Sequence, residues 1–339
     1  MSEASLTESA KSISRPPSAW ETGFDRVFRS TTLGFAWLTI AVVVLILLEI
    51  GKTAWPAITE FGPGLMTSSE WDPNADRPLL PNGKAPEPPT GAYGFLPEIW
   101  GTLYSSLLGL AIGSAFGIAI AIFLSQDFLP PKVEILMKNI IELLAAIPSV
   151  VYGLWGIYVL VPLLHPMAGW LHEHVGWIPL FGTPFQGRGM LPASLVLAIM
   201  ILPTISAISR DALVSVHPKL KEASLGLGAT RWETILAVIV PTASAGIFGS
   251  IILAFGRALG ETMALAMLVG NTNQLSMSLL SPANTLAALL ANHFREAQGI
   301  EVNVLMFAAL VLLLITLAVN CVGAAILNKA SAKLSGVSK

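Results

Sequence analysis

Charge is scarce in this chain. Of its 339 residues, 12% are Asp, Glu, Lys or Arg, about half the share found in an ordinary soluble domain. Neither sign dominates, since 19 Lys and Arg against 21 Asp and Glu leave a formal charge of -2. That balance gives no bulk electrostatic ground for a nucleic-acid partner. Cysteine occurs once, at Cys321, which excludes an internal disulfide and any multi-cysteine metal cluster. Histidine is sparse, and the closest pair, His172 and His174, is spaced i, i+2 and so does not share a helix face. No metal site or cofactor is expected. Also missing is a Gly-x4-Gly-Lys-Ser/Thr phosphate loop, for Gly83-Lys84-Ala85 lies in a proline-rich stretch. The chain is therefore not expected to be an ATP-hydrolysing enzyme itself.

What is abundant is apolar residues, 54% of the total, gathered into long uncharged blocks as in a polytopic all-α membrane protein. A spanning helix needs about 20 mostly apolar residues. The segments that qualify are Thr31–Ile50, Glu98–Ser125, Ile140–Leu164, Met190–Ser209, Thr242–Gly270 and Asn303–Asn328. Six transmembrane helices are expected. The first, at residues 31–50, reads as a retained anchor because its apolar core is long for a signal peptide. Lys and Arg then set the orientation. Residues 1–30, the second-to-third and fourth-to-fifth connections and residues 329–339 carry 13 of them, and the opposite loops carry 5. The positive-inside rule places both termini in the cytoplasm.

Residues 51–97 would form an irregular extracytoplasmic loop, with the run Ala85-Pro86-Glu87-Pro88-Pro89. The stretch His165–Gly189 reads as interfacial or re-entrant. Glu98 is expected at the wet outer boundary, where a carboxylate can reach water. On the second span Gly101, Ser105, Gly109, Gly113, Gly117 and Ala121 recur every fourth position, a smooth stripe that lets another helix approach closely. Pro148, Pro162 and Pro203 should interrupt the third and fourth spans, as hinges or as static bends.

Residues 217–241 carry a different signal. Pro218 is placed to start a short helix and Gly226 or Gly228 to end it. Small residues at Ala223 and Ser224 would let the resulting knob sit deep in a partner's groove. The run Glu222-Ala223-Ser224, with Gly228 six residues after the Glu and Pro241 near the end, resembles the cytoplasmic coupling motif of ABC importer permeases. Ser224 departs from the usual Ala, Val238 from Ile and Val240 from Leu.

Three further runs, Gly94–Leu103, Ile147–Gly156 and Arg257–Ala264, resemble the PstC family of phosphate importer permeases, and the likeness covers about residues 93–328. It implies an N-terminal helix followed by a five-helix permease core over 98–328. It also implies a PstA-like permease partner, two PstB-like ATPases gripping the coupling loop, and a PstS-like phosphate-binding protein. The host membrane would be a bacterial inner membrane.

Arg257 is the one cation that belongs to neither side. It lies 16 residues beyond Pro241, about 24 Å along a continuous helix and so within the hydrocarbon layer. Insertion there costs ~2.5 to 3.5 kcal/mol, so the side chain should face a partner or a wet cavity. Glu261, four residues on, would share its face. Base before acid is the weaker helical order, which argues against intrahelical pairing as the motif's purpose. An Arg fork can give phosphate two parallel hydrogen bonds and keeps its proton where water is scarce. The expectation is that Arg257 and Glu261 line the substrate pathway, as the resemblance also implies. A permease for sulfate or molybdate, an ion-coupled secondary anion transporter, and a scaffold signalling phosphate status to a sensor kinase stay open alongside.

Overall fold

The computed structural model describes residues 18–72 and 92–336. Expectations for residues 1–17, for the Ala85–Pro89 run and for residues 337–339 fall outside that range. The chain divides into two compact units at Lys52, each taken here by itself. Helix α1, Ala19–Phe61, is 43 residues long. It starts well before the expected Thr31 and runs past Ile50, because nothing between those points breaks a helix. Pro56 lies inside it.

The second unit holds the core. Its elements are α2 (Leu96–Ser125), α3 (Pro131–Ala146), α4 (Ser149–Val175), α5 (Met190–Val214), α6 (Pro218–Gly226), α7 (Arg231–Thr242), α8 (Ser244–Leu259), α9 (Met263–Leu268), α10 (Leu286–His293) and α11 (Ile300–Gly336). Five helices among the described residues are long and apolar enough to cross a membrane, and a sixth span results if the bent pair α7 and α8 counts as one.

The third and fifth spans differ from expectation. Ile140–Leu164 is not one helix. α3 ends at Ala146, Ile147 is extended at φ -69°, ψ 127°, and the span-length helix is α4. Proline at 148 is the cause, because its ring disfavours helical backbone in the residue before it. Pro148 thus marks a boundary and not a kink. The supposed re-entrant stretch from His165 begins as the last turns of α4. Thr242–Gly270 is also broken, by a 67° bend between α7 and α8 and again at Gly260–Thr262.

Pro162 and Pro241 share a local solution. Each follows a five-residue widened turn, Gly156–Leu160 and Ile235–Ile239, closed by Val161 N–H to the Gly156 carbonyl and Val240 N–H to that of Ile235. In a regular helix the proline ring would strike the carbonyl four residues earlier, and the wider turn relieves that clash. Pro203, by contrast, sits inside an unbroken α5.

The small-residue stripe of α2 is buried along its length, and α5 lies in it. A Cβ on Gly113 would come within 2.8 Å of the Ile201 side chain, and one on Gly117 within 2.8 Å of Ile205. Helices packing in lipid gain little from apolar transfer, so this backbone proximity and its dispersion contacts hold the pair together.

The described parts of 51–97, residues 51–72 and 92–97, are less irregular than expected. The end of α1 and the short helix Gly64–Thr67 contribute Ala54, Ala57 and Leu65 to a buried cluster with Tyr93, Phe95 and residues of α10 and α11. The segment 270–285 is another departure, an extended strap that is partly exposed up to Met277 and buried over most of its length from Ser278. Met190 and Leu191, whose N–H groups would be orphans at the start of α5, donate to the carbonyls of Ser281 at 3.1 Å and Leu279 at 2.7 Å. Trp100 Nε1 donates to Ser276 O and the Tyr104 hydroxyl to Met277 O. Glu98 is therefore not at a wet boundary. It is 0% exposed, and Asn284 Nδ2 on the strap donates to its Oε1 at 3.3 Å.

Candidate functional site

Arg257 stands in the last turn of α8, where the helix dipole favours a cation. Its neighbours Ala254, Ala258 and Leu259 are fully buried, yet Arg257 itself is exposed. The guanidinium projects from a packed element toward a face that this chain leaves open. α8 stops at Leu259, with Gly260 as its cap, so Glu261 does not stand one helical turn above Arg257. The expected shared face is absent, and no ion pair joins the two side chains. Glu261 lies in the break before α9 and accepts from Ala264 N–H at 3.5 Å, a weak contact at the limit of hydrogen bonding.

What the break does is turn the chain so that α9 lies against the start of α4. A Cβ on Gly153 would meet Met267 Sδ at 2.7 Å, and one on Gly156 would meet Leu268 at the same distance. Two sequence runs a hundred positions apart, Ile147–Gly156 and Arg257–Ala264, thereby form one locus. Tyr152 belongs to it. It is 6% exposed, lies within electrostatic reach of Arg257, and its hydroxyl donates to Leu144 O at 2.7 Å across the α3–α4 break. Sequence reasoning quoted the run that contains Tyr152 without giving the residue a role. The signal available was a phenol hydroxyl one helical turn after a helix-breaking proline.

The second locus is the projecting segment 217–241. Pro218 is the first residue of α6, with the His217 ring accepting from Lys219 N–H. α6 ends at Gly226. Gly228 N–H then donates to Leu225 O at 3.0 Å and Ala229 N–H to Ser224 O at 3.2 Å, with Gly228 at φ +90°. This is a Schellman closure, which requires left-handed backbone at the glycine. α7 begins with a reciprocal capping box, Thr230 N–H to Glu233 Oε2 at 2.7 Å and Glu233 N–H to the Thr230 hydroxyl at 3.3 Å. Ser224 and Thr234 hydroxyls, 3.0 Å apart, tie the two short helices together.

The knob is anchored to the turn that follows α2. Trp232 stacks on Phe128 with ring centres 5.2 Å apart, and Lys221 pairs with Asp127 at 3.3 Å. Glu222, Ala223, Gly228 and Pro241 are all exposed and Ser224 is half-buried. Leu227, 90% exposed, stands at the tip. The sequence-selected residues thus form two groups, one at the α8–α9 break and one on the knob.

A family profile described as "Binding-protein-dependent transport system inner membrane component" matches residues 113–332. The phosphate transport system permease protein PstC of Haemophilus influenzae is 39% identical over 305 residues, covering 87% of this chain and 90% of that protein. PstC of Mesorhizobium japonicum is 35% identical over 315 residues, covering 91% of each. Among solved structures, a chain of a bacterial alginate ABC transporter bound to its periplasmic protein superposes with a TM-score of 0.57. It is 16% identical and covers 88% of this chain and 95% of its own, a likeness of fold.

Proposed function

The chain belongs to the inner-membrane components of binding-protein-dependent transport systems, and within them to the PstC phosphate permeases; from that premise we propose a role for each locus. The protein is a multi-pass permease subunit of a phosphate ABC transporter, a transport component and not an enzyme, that works in complex with other subunits. On our reading Arg257 meets phosphate oxygens as they pass, and Glu261 limits the dwell time by repelling an anion that lingers. The observation that carries this is an exposed guanidinium on an otherwise buried helix end. The face it looks toward would be closed by a PstA-like permease, so that the pathway forms between the two chains.

The knob of α6 and α7 docks, on the same reading, into a PstB-like ATPase. Glu222, Ala223, Ser224, Gly228 and Pro241 lie along it. Two such ATPases and a PstS-like binding protein complete the assembly. The knob side is cytoplasmic, together with both termini, in a bacterial inner membrane. What supports that orientation is the excess of Lys and Arg on the knob side.

The test is uptake of radiolabelled phosphate into proteoliposomes holding the chain with its partners. Uptake should require ATP and should vanish when the ATPases are omitted. ATP-independent uptake by this chain alone would overturn the reading in favour of a secondary transporter.

A further inference from the structure

An amide, Asn320, stands beside the helix that carries Arg257. It belongs to α11, inside the span-length stretch Ile300–Lys329, and packs on α8 at Gly256, 12 residues or about 18 Å beyond the start of that helix. A Cβ on Gly256 would lie 3.1 Å from Asn320 Oδ1 and 3.2 Å from Nδ2, so the amide can rest on α8 because the residue beneath it is glycine. Among the described residues neither amide atom has a hydrogen-bond partner, yet Asn320 is half-buried and both atoms keep accessible surface. An unmet amide within the hydrocarbon layer is costly, so this one calls for a partner outside the chain.

The contact between α8 and α11 has two flanks. Along its centre Gly249, Ile252 and Gly256 meet Leu327, Gly323 and Asn320 in turn. One flank is an apolar groove lined by Ile251, Phe255, Val319 and Val322. Arg257 follows Gly256 by about 100° of helix rotation, which puts it on the other flank together with the exposed Leu253. On α11 that second flank is marked by Leu317 and Cys321, both exposed, and Asn320 lies between them and the line of contact. The guanidinium and the amide therefore border the same open face.

We propose that Asn320 is a second contact for the passing anion and forms with Arg257 a two-point site for hydrogenphosphate. This rests on the reading that Arg257 faces the pathway. Arg257 can only donate, and its fork suits two phosphate oxygens. The amide does both: Nδ2 donates to a further phosphate oxygen and Oδ1 accepts the P–OH proton. An oxyanion without a proton to give would set its lone pairs against Oδ1 and leave that atom unmet. Neither atom of Asn320 is charged, so the second contact orients the anion without deepening the electrostatic well in which Arg257 holds it.

ATP-driven uptake of radiolabelled phosphate into proteoliposomes holding the assembled transporter tests this. Asn320→Leu takes an unmet amide out of the hydrocarbon, so the fold should hold. Its maximal uptake should fall at least tenfold at an unchanged half-saturating phosphate concentration, because capture from solution is left to the binding protein. Asn320→Gln keeps the amide and should stay within threefold of wild type. Wild-type turnover in Asn320→Leu overturns the proposal. So does loss of the partner permease from the Asn320→Leu complex on size exclusion, which would make the amide a bond between chains. Arg257→Gln assayed alongside separates the two readings. If it loses uptake while Asn320→Leu does not, Asn320 alone is misassigned; if it keeps uptake, the pathway itself is misplaced. Should Asn320→Leu fail to fold, thiol labelling decides. In a Cys321→Ser background, Asn320→Cys should react with a small anionic methanethiosulfonate during turnover, and Val322→Cys on the groove flank should not. An inert Asn320→Cys overturns the site.

Discussion

Arg257 is held by position more than by partners. It has the C-terminal dipole of α8 beneath it and, among the described residues, no carboxylate within ion-pairing distance, which on the proposed reading leaves its charge to a passing anion. Arg257→Gln keeps the side chain polar and the helix intact. Phosphate uptake should fall at least tenfold, equivalent to about 1.4 kcal/mol in the transport barrier, while the complex still assembles on size exclusion. Near wild-type uptake would remove Arg257 from the pathway. Gly228 makes a different demand. A Cβ there meets nothing within 4 Å, so any harm from substitution comes from its φ of +90°. Gly228→Val should cost about 1–3 kcal/mol of local strain and leave ATP hydrolysis uncoupled from uptake. Gly228→Asn, which tolerates left-handed backbone better, should be milder. Equal coupling ratios in Val, Asn and wild type would count against a docking role for the turn.

Single elements show which parts of the sequence could be read directly. The α2 stripe was legible because a four-residue repeat of small side chains has one physical use, close packing, and α5 occupies it. Gly113→Leu should overpack against Ile201 and destabilise by about 1–3 kcal/mol, seen as a lowered thermal midpoint in detergent. Adding Ile201→Ala should recover part of the loss. The ends of α6 were legible from Pro218 and the glycines that follow, since capping chemistry is local. The capping box of α7 went unread, although Thr230 and Glu233 stand at the required spacing. Thr230→Ala should cost about 1 kcal/mol and speed amide exchange across 231–234 without changing exchange in α5. By contrast, the α8–α9 break was hidden. The run 242–270 reads as one span because it is mostly apolar, and that masked the Gly260-Glu261-Thr262 interruption at which α8 is capped. The strap at 270–285 was hidden for a different reason, since its path is held by partners such as Trp100 and Glu98 far away in sequence.

For the whole molecule, hydropathy and charge gave the class of protein and the expected sidedness, because lipid and water partition side chains without regard to detailed packing. They could not tell that Arg257 and Glu261 part company, since a helical spacing rule presumes a helix. Sidedness can be checked at Leu227, which is 90% exposed. In a Cys321→Ser background, Leu227→Cys should react with a membrane-impermeant thiol reagent in inside-out vesicles and stay unlabelled in right-side-out ones. The reverse pattern would invert the orientation, and with it the placement of the ATPases.

The widened turns ahead of Pro162 and Pro241 each hold one residue more than a regular helix would need. Deleting a single position there, Val159 for instance, would restore ordinary winding and leave everything beyond it near its present azimuth, whereas a deletion in a regular stretch of the same helix would swing the rest by about 100°. Leu164 and Ala168, now 7% and 0% exposed, would keep their present neighbours. What the deletion removes is the room for the proline ring, so its cost should shrink when Pro162 is changed to Ala in the same chain.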